Sequence, residues 1–422
     1  MSATDPARGG RLAGPAGVAA LLGVAQTLAW GTTFYLPAVL IPSMSEELGG
    51  DRTLIYGAFS LALLIAGLAA PRTGRAIERR SGRPVLVLSS CVLAAGLVLL
   101  GVLPGLPGWF LGWIVIGYGM ALGLYEAAFA TLGMLFGRAA RRPITFVTLY
   151  AGFASTIGWP MTALLLPLAG WRGTCLVYAG VNLLVVLPLY LLLPREPAGA
   201  AGVPATQAAA PLPKEAPPPA AWARRTLLLL TAFFTIRAFI SATFAVHVVA
   251  LFGGLGLGVA AAVSVAALQG PSQVAGRVLE FGIGTRAHPL TVARWGAALL
   301  PLGIGALLAF GTPAAAAFMI GYGASNGIMT ISRGAVPLVL FGPRGYPTLM
   351  GRMALPILLS QAMAPMATAP LVGLLPAPTI FAAGGAMAVA AMACLLAIRP
   401  PPATGGLSPP PAASAPSPPG PH

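Results

Sequence analysis

The chain has 422 residues, of which 57% are hydrophobic and only 8% are charged. A soluble domain carries roughly 25% charged residues, so the composition excludes a soluble globular protein and indicates a membrane protein. The net charge of +15 does not indicate nucleic-acid binding, because the basic residues lie in short segments between apolar runs, as membrane topology requires.

Twelve apolar stretches are long enough to cross a bilayer, for which roughly 20 residues are needed. They are predicted at 18–44, 54–72, 85–103, 109–136, 144–168, 173–193, 226–252, 259–280, 290–311, 314–340, 348–374 and 377–398. The domains that we predict are an N-terminal segment at 1–17, a six-helix bundle at 18–193, a flexible linker at 194–225, a second six-helix bundle at 226–398 and a disordered Pro-rich tail at 399–422.

The distribution of basic residues predicts the orientation of the chain. With both termini in the cytoplasm, twenty Lys and Arg residues fall on the cytoplasmic side, whereas only Arg52 and Arg172 fall on the other side. Cytoplasmic loops of membrane proteins carry an excess of Lys and Arg, so this asymmetry supports that orientation. The remaining two basic residues, Arg237 and Arg333, lie inside apolar runs.

The two halves of the chain contain related sequences. Residues 116–138 and 320–344 both begin Ile-Gly-Tyr-Gly and both end with Phe-Gly and a nearby arginine. Earlier in each half, the sequence Gly-Arg-x-x-Glu occurs at 74–78 and again at 276–280. An internal repeat of this extent in so apolar a chain is typical of a membrane transporter with two-fold pseudo-symmetry.

The loop after the second predicted span carries a family resemblance. From position 74 it reads Gly-Arg-Ala-Ile-Glu-Arg-Arg-Ser-Gly-Arg, which resembles the motif G-x-x-x-[DE]-R-x-G-R-[RK] of the major facilitator superfamily. Gly74, Glu78 and Arg79 match the motif, and Ser81 replaces its second glycine. Together with the twelve spans and the central linker, the resemblance implies an all-α membrane fold of two pseudo-symmetric six-helix bundles and rocker-switch alternating access.

The same resemblance implies a gate at this loop. Gly74 allows one helix end to approach its neighbour closely. Glu78 is expected to pair with a nearby arginine, in a latch that holds the cytoplasmic face shut in one state and breaks in the other. In the second half, Gly276, Arg277 and Glu280 are expected to form a weaker counterpart.

The resemblance also implies a substrate site at the bilayer midplane, lined by the first, fourth, seventh and tenth helices. The deeply placed ionisable side chains lie on these helices: Glu126 on the fourth, Arg237 and His247 on the seventh, and Arg333 on the tenth. A charge at the bilayer centre costs at least ~2.5–3.5 kcal/mol, so these side chains must face a partner or a wet cavity.

Helical spacing adds polar neighbours on the same faces, such as Thr330 one turn before Arg333. His247 alone is more typical of a packing residue than of a proton site. The candidate substrate or coupling residues are Glu126, Arg237, Arg333, Asn326, Tyr322, Tyr118, Gln26, Trp30 and His247.

These candidates leave two transport functions open. In the first, Glu126 neutralises one of the two deep arginines, and the remaining positive charge binds a small organic anion, such as a monocarboxylate, moved with or against protons. In the second, Glu126 carries protons that drive the export of a drug or another amphipathic compound, and both arginines are structural. A membrane sensor that does not transport is a third interpretation, from another functional class.

The residue inventory does not support an enzyme. The sequence contains no Walker motif, no zinc-ligand spacing and no paired carboxylates, so we expect no metal and no other cofactor. We expect a monomer in the bacterial inner membrane whose partners are lipid, a small anionic substrate and protons.

Overall fold

The computed structural model describes residues 14–48, 52–194, 219–283 and 287–399, which are almost entirely helical and contain no strand. Most of the predicted N-terminal segment, linker and tail, namely 1–13, 195–218 and 400–422, lies outside the described residues. The helices are α1 Pro15–Thr32, α2 Pro37–Leu48, α3 Arg52–Arg80, α4 Gly82–Val102, α5 Gly105–Gly123, α6 Tyr125–Phe136, α7 Arg141–Ala151, α8 Ala154–Val181, α9 Leu187–Leu191, α10 Ala220–Gly254, α11 Val259–Ala267, α12 Gln269–Ile283, α13 Pro289–Phe310, α14 Ala315–Phe341, α15 Tyr346–Leu374 and α16 Ala377–Leu396.

Nine helical stretches in the described ranges are long and apolar enough to cross a membrane. One of them, Gly105–Leu191, has 87 residues, several times the length of a single crossing. Inside it the backbone turns at Gly170, which has a φ of 65° and lies between the fifth and sixth predicted spans. The all-α membrane fold is therefore confirmed, whereas the number of twelve crossings stays a prediction.

The first and eighth predicted spans are each broken into two helices, which the sequence analysis did not predict. In both cases a proline explains the break, because proline has no N–H to donate to the carbonyl four residues earlier. Pro37 lies four residues after Thr33, where α1 has ended, and Pro271 lies four residues after Ala267, where α11 ends.

The fourth predicted span is broken without a proline. Leu124 separates α5 from α6 with an extended backbone, at φ −80° and ψ −164°. The last carbonyls of a helix lack intrahelical partners, and the Gln26 side chain supplies one here: its Nε2 donates to the Gly123 carbonyl at 2.5 Å. The same Nε2 lies 3.2 Å from the Tyr190 hydroxyl. Gln26 therefore fixes the break from within the first bundle.

An exposed cluster ties α2 to the segment after Gly170. Glu47 accepts hydrogen bonds from Arg172 Nη2 at 2.8 Å and from Trp171 Nε1 at 2.5 Å. The Arg172 guanidinium, with the Trp171 indole, holds the pKa of the Glu47 carboxyl below its usual range. Because Glu47 is exposed, this pair is a useful reference for the buried ion pair described below.

The two halves of the chain pack against each other at one end of the protein. We call it the arginine-rich end, because α3 finishes there with Arg79 and Arg80. In one contact α3 packs on α15, and in a second α7 packs on α12. Glycines allow the first contact: a Cβ on Gly74 would lie 2.3 Å from the Pro347 carbonyl oxygen, so the two backbones meet directly.

A methyl group added at Gly74 should open this contact. We expect Gly74→Ala to destabilise the closed arrangement by about 1–3 kcal/mol, the usual cost of overpacking, and to lower the melting temperature of the purified protein in detergent. Gly57 lies on the same helix with nothing within 4 Å of an added Cβ. The control Gly57→Ala should leave the melting temperature unchanged or raise it. Equal losses in both variants would contradict this account.

Candidate functional site

A narrow cavity lies between the two halves, near the middle of the membrane-crossing helices. Trp30 and Phe34 form one side, and aliphatic side chains of α3, α5 and α15 complete most of its wall. Its polar residues are Glu126 from the first half and Arg333 and Gln361 from the second. The cavity has a volume of about 30 Å³, which is room for about two water molecules.

An ion pair between Glu126 and Arg333 joins the two halves at this cavity. Both side chains are largely buried, with 15% and 21% of their surfaces exposed. The break at Leu124 positions the carboxylate, because it makes Glu126 a first-turn residue of α6. The positive end of a helix dipole therefore lies at the Glu126 carboxylate, in addition to the Arg333 guanidinium.

Arg237 lies within the second half and does not line the cavity. It is 4% exposed, and its Nη2 donates to Ser325 Oγ at 3.1 Å and to Asn326 Oδ1 at 2.9 Å. Its Nε and Nη1 have no hydrogen-bond partner in the part of the chain that the structure describes. A buried guanidinium with only neutral partners keeps its full positive charge in a medium that screens it poorly.

The oxygen of Asn326 is fully engaged. It accepts from Arg237 and, at 3.2 Å, from the Ser241 hydroxyl. The Tyr322 hydroxyl donates to the Ser241 carbonyl at 3.3 Å, which joins Tyr322 to the same network. The Asn326 side chain also hydrogen-bonds with the Tyr322 hydroxyl, so it belongs to the same network.

Arg277, which was expected to belong to the gate of the second half, is a buried residue. It is 4% exposed on α12, and its Nη1 donates across the halves to the Thr148 carbonyl at 2.8 Å. Its guanidinium is close enough to Tyr35 and Tyr125 to interact electrostatically with their hydroxyl groups. Tyr125 in turn packs on Trp30, with 4.8 Å between ring centroids, so Arg277 belongs to the surroundings of the cavity.

Comparison with known proteins gives the family. Residues 21–294, more than half of the chain, match the family model of the Major Facilitator Superfamily. The chain belongs to this superfamily. Its members are transporters that bind small molecules, in some cases together with protons. Among curated proteins, no match was found.

Solved structures of the superfamily share the fold over nearly the whole chain. The human organic anion transporter MFSD10 (TETRAN) is 15% identical, with a TM-score of 0.68 and coverage of 93% of this chain and 100% of that one. The proton:xylose symporter XylE is 13% identical, with a TM-score of 0.72 and coverage of 90% and 95%. The E. coli fucose:proton symporter FucP is 15% identical, with a TM-score of 0.63 and coverage of 90% and 97%. Identities this low support the fold alone.

The superfamily motif of the first half contacts the second half. Glu78 accepts a hydrogen bond from the Thr348 hydroxyl, in the first turn of α15. The partner expected from the sequence was an arginine, whereas this one is a hydroxyl at a helix N-terminus, where the helix dipole also favours a carboxylate. Gly74 lies against the same turn, and Arg79 is exposed.

The corresponding motif of the second half contacts the first half. Glu280 is 5% exposed and lies 3.2 Å from Arg141 Nη2, with the Thr145 hydroxyl at 3.4 Å. A Cβ on Gly276 would lie 2.5 Å from the Ala324 carbonyl oxygen, so this glycine allows α12 to pack on α14. Both motifs thus hold the arginine-rich end closed.

Of the nine sequence candidates, Trp30, Glu126 and Arg333 line the cavity. Arg237, Asn326 and Tyr322 form a separate network within the second half, and Gln26, His247 and Tyr118 lie elsewhere. Gln26 is engaged at the break in the fourth span, as described above. His247 contacts the Pro365 carbonyl oxygen at 3.2 Å within the second half, in line with the packing role that we favoured for it. Tyr118 is 47% exposed on the outer surface of the helices. Their assignment to the substrate site stays a prediction, with structural contacts that explain Gln26 and His247 without a ligand.

Sequence reasoning missed two residues that the cavity region contains. Gln361 lines the cavity, and the signal for it was a polar side chain inside the otherwise apolar run 348–374. Ser325 holds Arg237 and donates to the Gly296 carbonyl at 2.6 Å. It is adjacent in sequence to Asn326 but lies on a different face of α14. The helical spacing that selected Asn326 therefore did not select Ser325.

The ion pair between Glu126 and Arg333 should behave as a buried pair. Removing one partner leaves an uncompensated charge, so we expect Glu126→Gln or Arg333→Gln alone to cost about 3–5 kcal/mol, and both together clearly less than the sum. The measurement is a double-mutant cycle on thermal unfolding in detergent. The same cycle at the exposed pair of Glu47 and Arg172 should give a coupling below ~1 kcal/mol. Additive losses at the buried pair would contradict the prediction.

Proposed function

We propose that this protein is a secondary transporter that moves a small organic anion across the bacterial inner membrane by rocker-switch alternating access. The observation that carries the proposal is an excess of buried positive charge. Glu126 forms an ion pair with Arg333. The hydrogen-bond partners of Arg237 and Arg277, in contrast, are hydroxyl, amide and carbonyl oxygens.

An anionic substrate would neutralise part of this excess positive charge when it binds. A charged side chain at the bilayer centre costs at least ~2.5–3.5 kcal/mol, and a ligand of opposite charge reduces that cost when it binds. A guanidinium suits the task because its N–H groups are arranged to bind a carboxylate at two points. The Nε and Nη1 atoms of Arg237 have no hydrogen-bond partner among the described residues and are free to bind a carboxylate. Arg237 does not itself line the cavity in this conformation.

The relatives of known structure are compatible with this substrate class but do not select it. One is described as an organic anion transporter, and two others are proton symporters of sugars. The same fold therefore serves neutral and charged substrates. The proposal relies on the charges of this chain and not on the names of its relatives.

We assign the arginine-rich end to the cytoplasm and both termini to the same side. Twenty of the 24 Lys and Arg residues fall on that side of the predicted topology, and positive residues are retained in the cytoplasm. The present conformation is then closed toward the cytoplasm, and the substrate enters from the other side. A monomer is sufficient, because one chain supplies both walls of the cavity.

Glu126 is the proposed coupling group. An anion that binds Arg333 competes with Glu126 for the guanidinium. Glu126 is the acidic residue of the cavity lining, so we assign to it the proton that compensates the charge of the anion. Binding of the anion would therefore be linked to uptake of one proton, and the substrate and proton would move together.

Uptake by the purified protein in liposomes tests the substrate class. We expect a panel of labelled organic acids to include at least one that is accumulated, and Arg333→Gln to reduce its kcat/KM by at least about 100-fold, the loss of a charged hydrogen-bonded contact. Arg80, exposed at the arginine-rich end, provides the matched control: Arg80→Gln should transport normally. Normal anion transport by Arg333→Gln, or flux of cationic drugs without any anion flux, would contradict the proposal, and the latter would favour drug export.

A separate experiment tests coupling. We expect Glu126→Gln to lose accumulation driven by a proton gradient while it still exchanges labelled for unlabelled anion, because exchange needs no net proton movement. The control is Glu47→Gln, which removes an exposed carboxylate that does not line the cavity. This variant should keep both proton-driven accumulation and anion exchange. Full proton-driven accumulation by Glu126→Gln would eliminate its coupling role.

A further inference from the structure

We propose that the central cavity selects a small monocarboxylate whose body is apolar, and discriminates against hydroxylated acids and sugars. This inference rests on the proposed function, since it names the substrate class of the same site. It follows from two properties of the cavity that are independent of the net charge: the composition of its wall and the balance of its hydrogen-bond donors and acceptors.

The wall is aromatic and aliphatic on most sides. Trp30 and Phe34 face it from the first half, with a ring-centroid separation of 4.8 Å, and Leu63, Met120 and Leu358 are among the aliphatic side chains that close it. A substrate hydroxyl against these groups would lose its water without gaining a partner. In this conformation the cavity has room for about two water molecules, so the two halves must separate to admit a three-carbon acid, and its lining leaves little room for bound water.

The free polar groups of the site are mainly donors. Trp30 lines the cavity, and its buried Nε1 has no hydrogen-bond partner in the described part of the chain. Arg333 offers only donors. Of the acceptors, Glu126 Oε1 is paired with Arg333, so this carboxylate offers its second oxygen, and on the same face of α14 the Asn326 oxygen is engaged by Arg237 and Ser241.

This balance suits a carboxylate, which accepts hydrogen bonds and donates none when ionised. A sugar or a polyhydroxy acid brings several O–H donors, and each needs an acceptor. Gln361 has an amide oxygen that supplies one further acceptor, and the two together are too few for a polyol. The carboxylate is therefore expected toward Arg333 and the Trp30 indole, and the apolar body toward the wall formed by Phe34, Leu63 and Leu358.

The test compares two acids of equal length and charge. Propionate and glycerate both have three carbons and one carboxylate, but glycerate carries two hydroxyl groups. We measure the uptake of each by the full-length protein in liposomes, with xylose as a neutral control. The expected result is a kcat/KM for propionate at least about tenfold above that for glycerate, with no xylose uptake.

If glycerate is transported as well as propionate or better, this inference is overturned while the proposed function stands. If neither acid is transported in this assay, the inference falls, and the wider acid panel described above then decides the proposed function separately.

Two variants test the assigned contacts. Trp30→Phe removes the indole N–H and keeps an aromatic ring, so it should raise the KM for propionate by about tenfold with little change in kcat. Trp295→Phe is the control, because Trp295 is 60% exposed and does not line the cavity.

Leu358→Asn introduces a donor and an acceptor into the wall, and it should shift the ratio of propionate to glycerate transport toward glycerate. An unchanged KM in folded Trp30→Phe, together with an unchanged ratio in Leu358→Asn, would refute the assignment.

Discussion

The burial of charge in an apolar medium is the constraint on which this structure depends. Glu126 and Arg333 come from opposite halves of the chain, and leaving either charge without a partner at that depth is costly. The pair therefore links the relative position of the two bundles to the ionisation of the site. A change in either one alters the other, which is the property that a coupled transporter requires.

The backbone contributes to this arrangement as much as the side chains. The break at Leu124 turns the fourth span into two helices and gives Glu126 a helix N-terminus of its own. Gln26 stabilises the break by binding the Gly123 carbonyl. A residue that sequence spacing assigned to the substrate site thus contacts the end of α5, directly before the break after which the helix of Glu126 begins.

Sequence patterns predicted the membrane class, the family and the meeting of Glu126 with a deep arginine. Those features depend on composition, on repeats and on the cost of an unpaired charge, all of which are visible in the sequence without knowledge of the packing. The burial of Arg277 could not be read locally, because an arginine near the end of a span looks the same whether it faces water or reaches across to Thr148. Likewise, the spacing of Tyr118 matched that of Tyr322 in the repeat, but only packing reveals that Tyr118 faces outward and Tyr322 inward.

The polar contacts that the described residues make across the closed end differ in kind. Glu78 and Glu280 each use a carboxylate, whereas Arg277 and Arg141 donate to the main-chain oxygens of Thr148 and Ala287. A main-chain oxygen is present whatever side chain occupies position 148, and it does not titrate. A side-chain substitution at position 148 or 287 therefore leaves the acceptor atom in place. The closed end is joined in part through backbone oxygens, so these contacts place little demand on which side chains the acceptor positions carry.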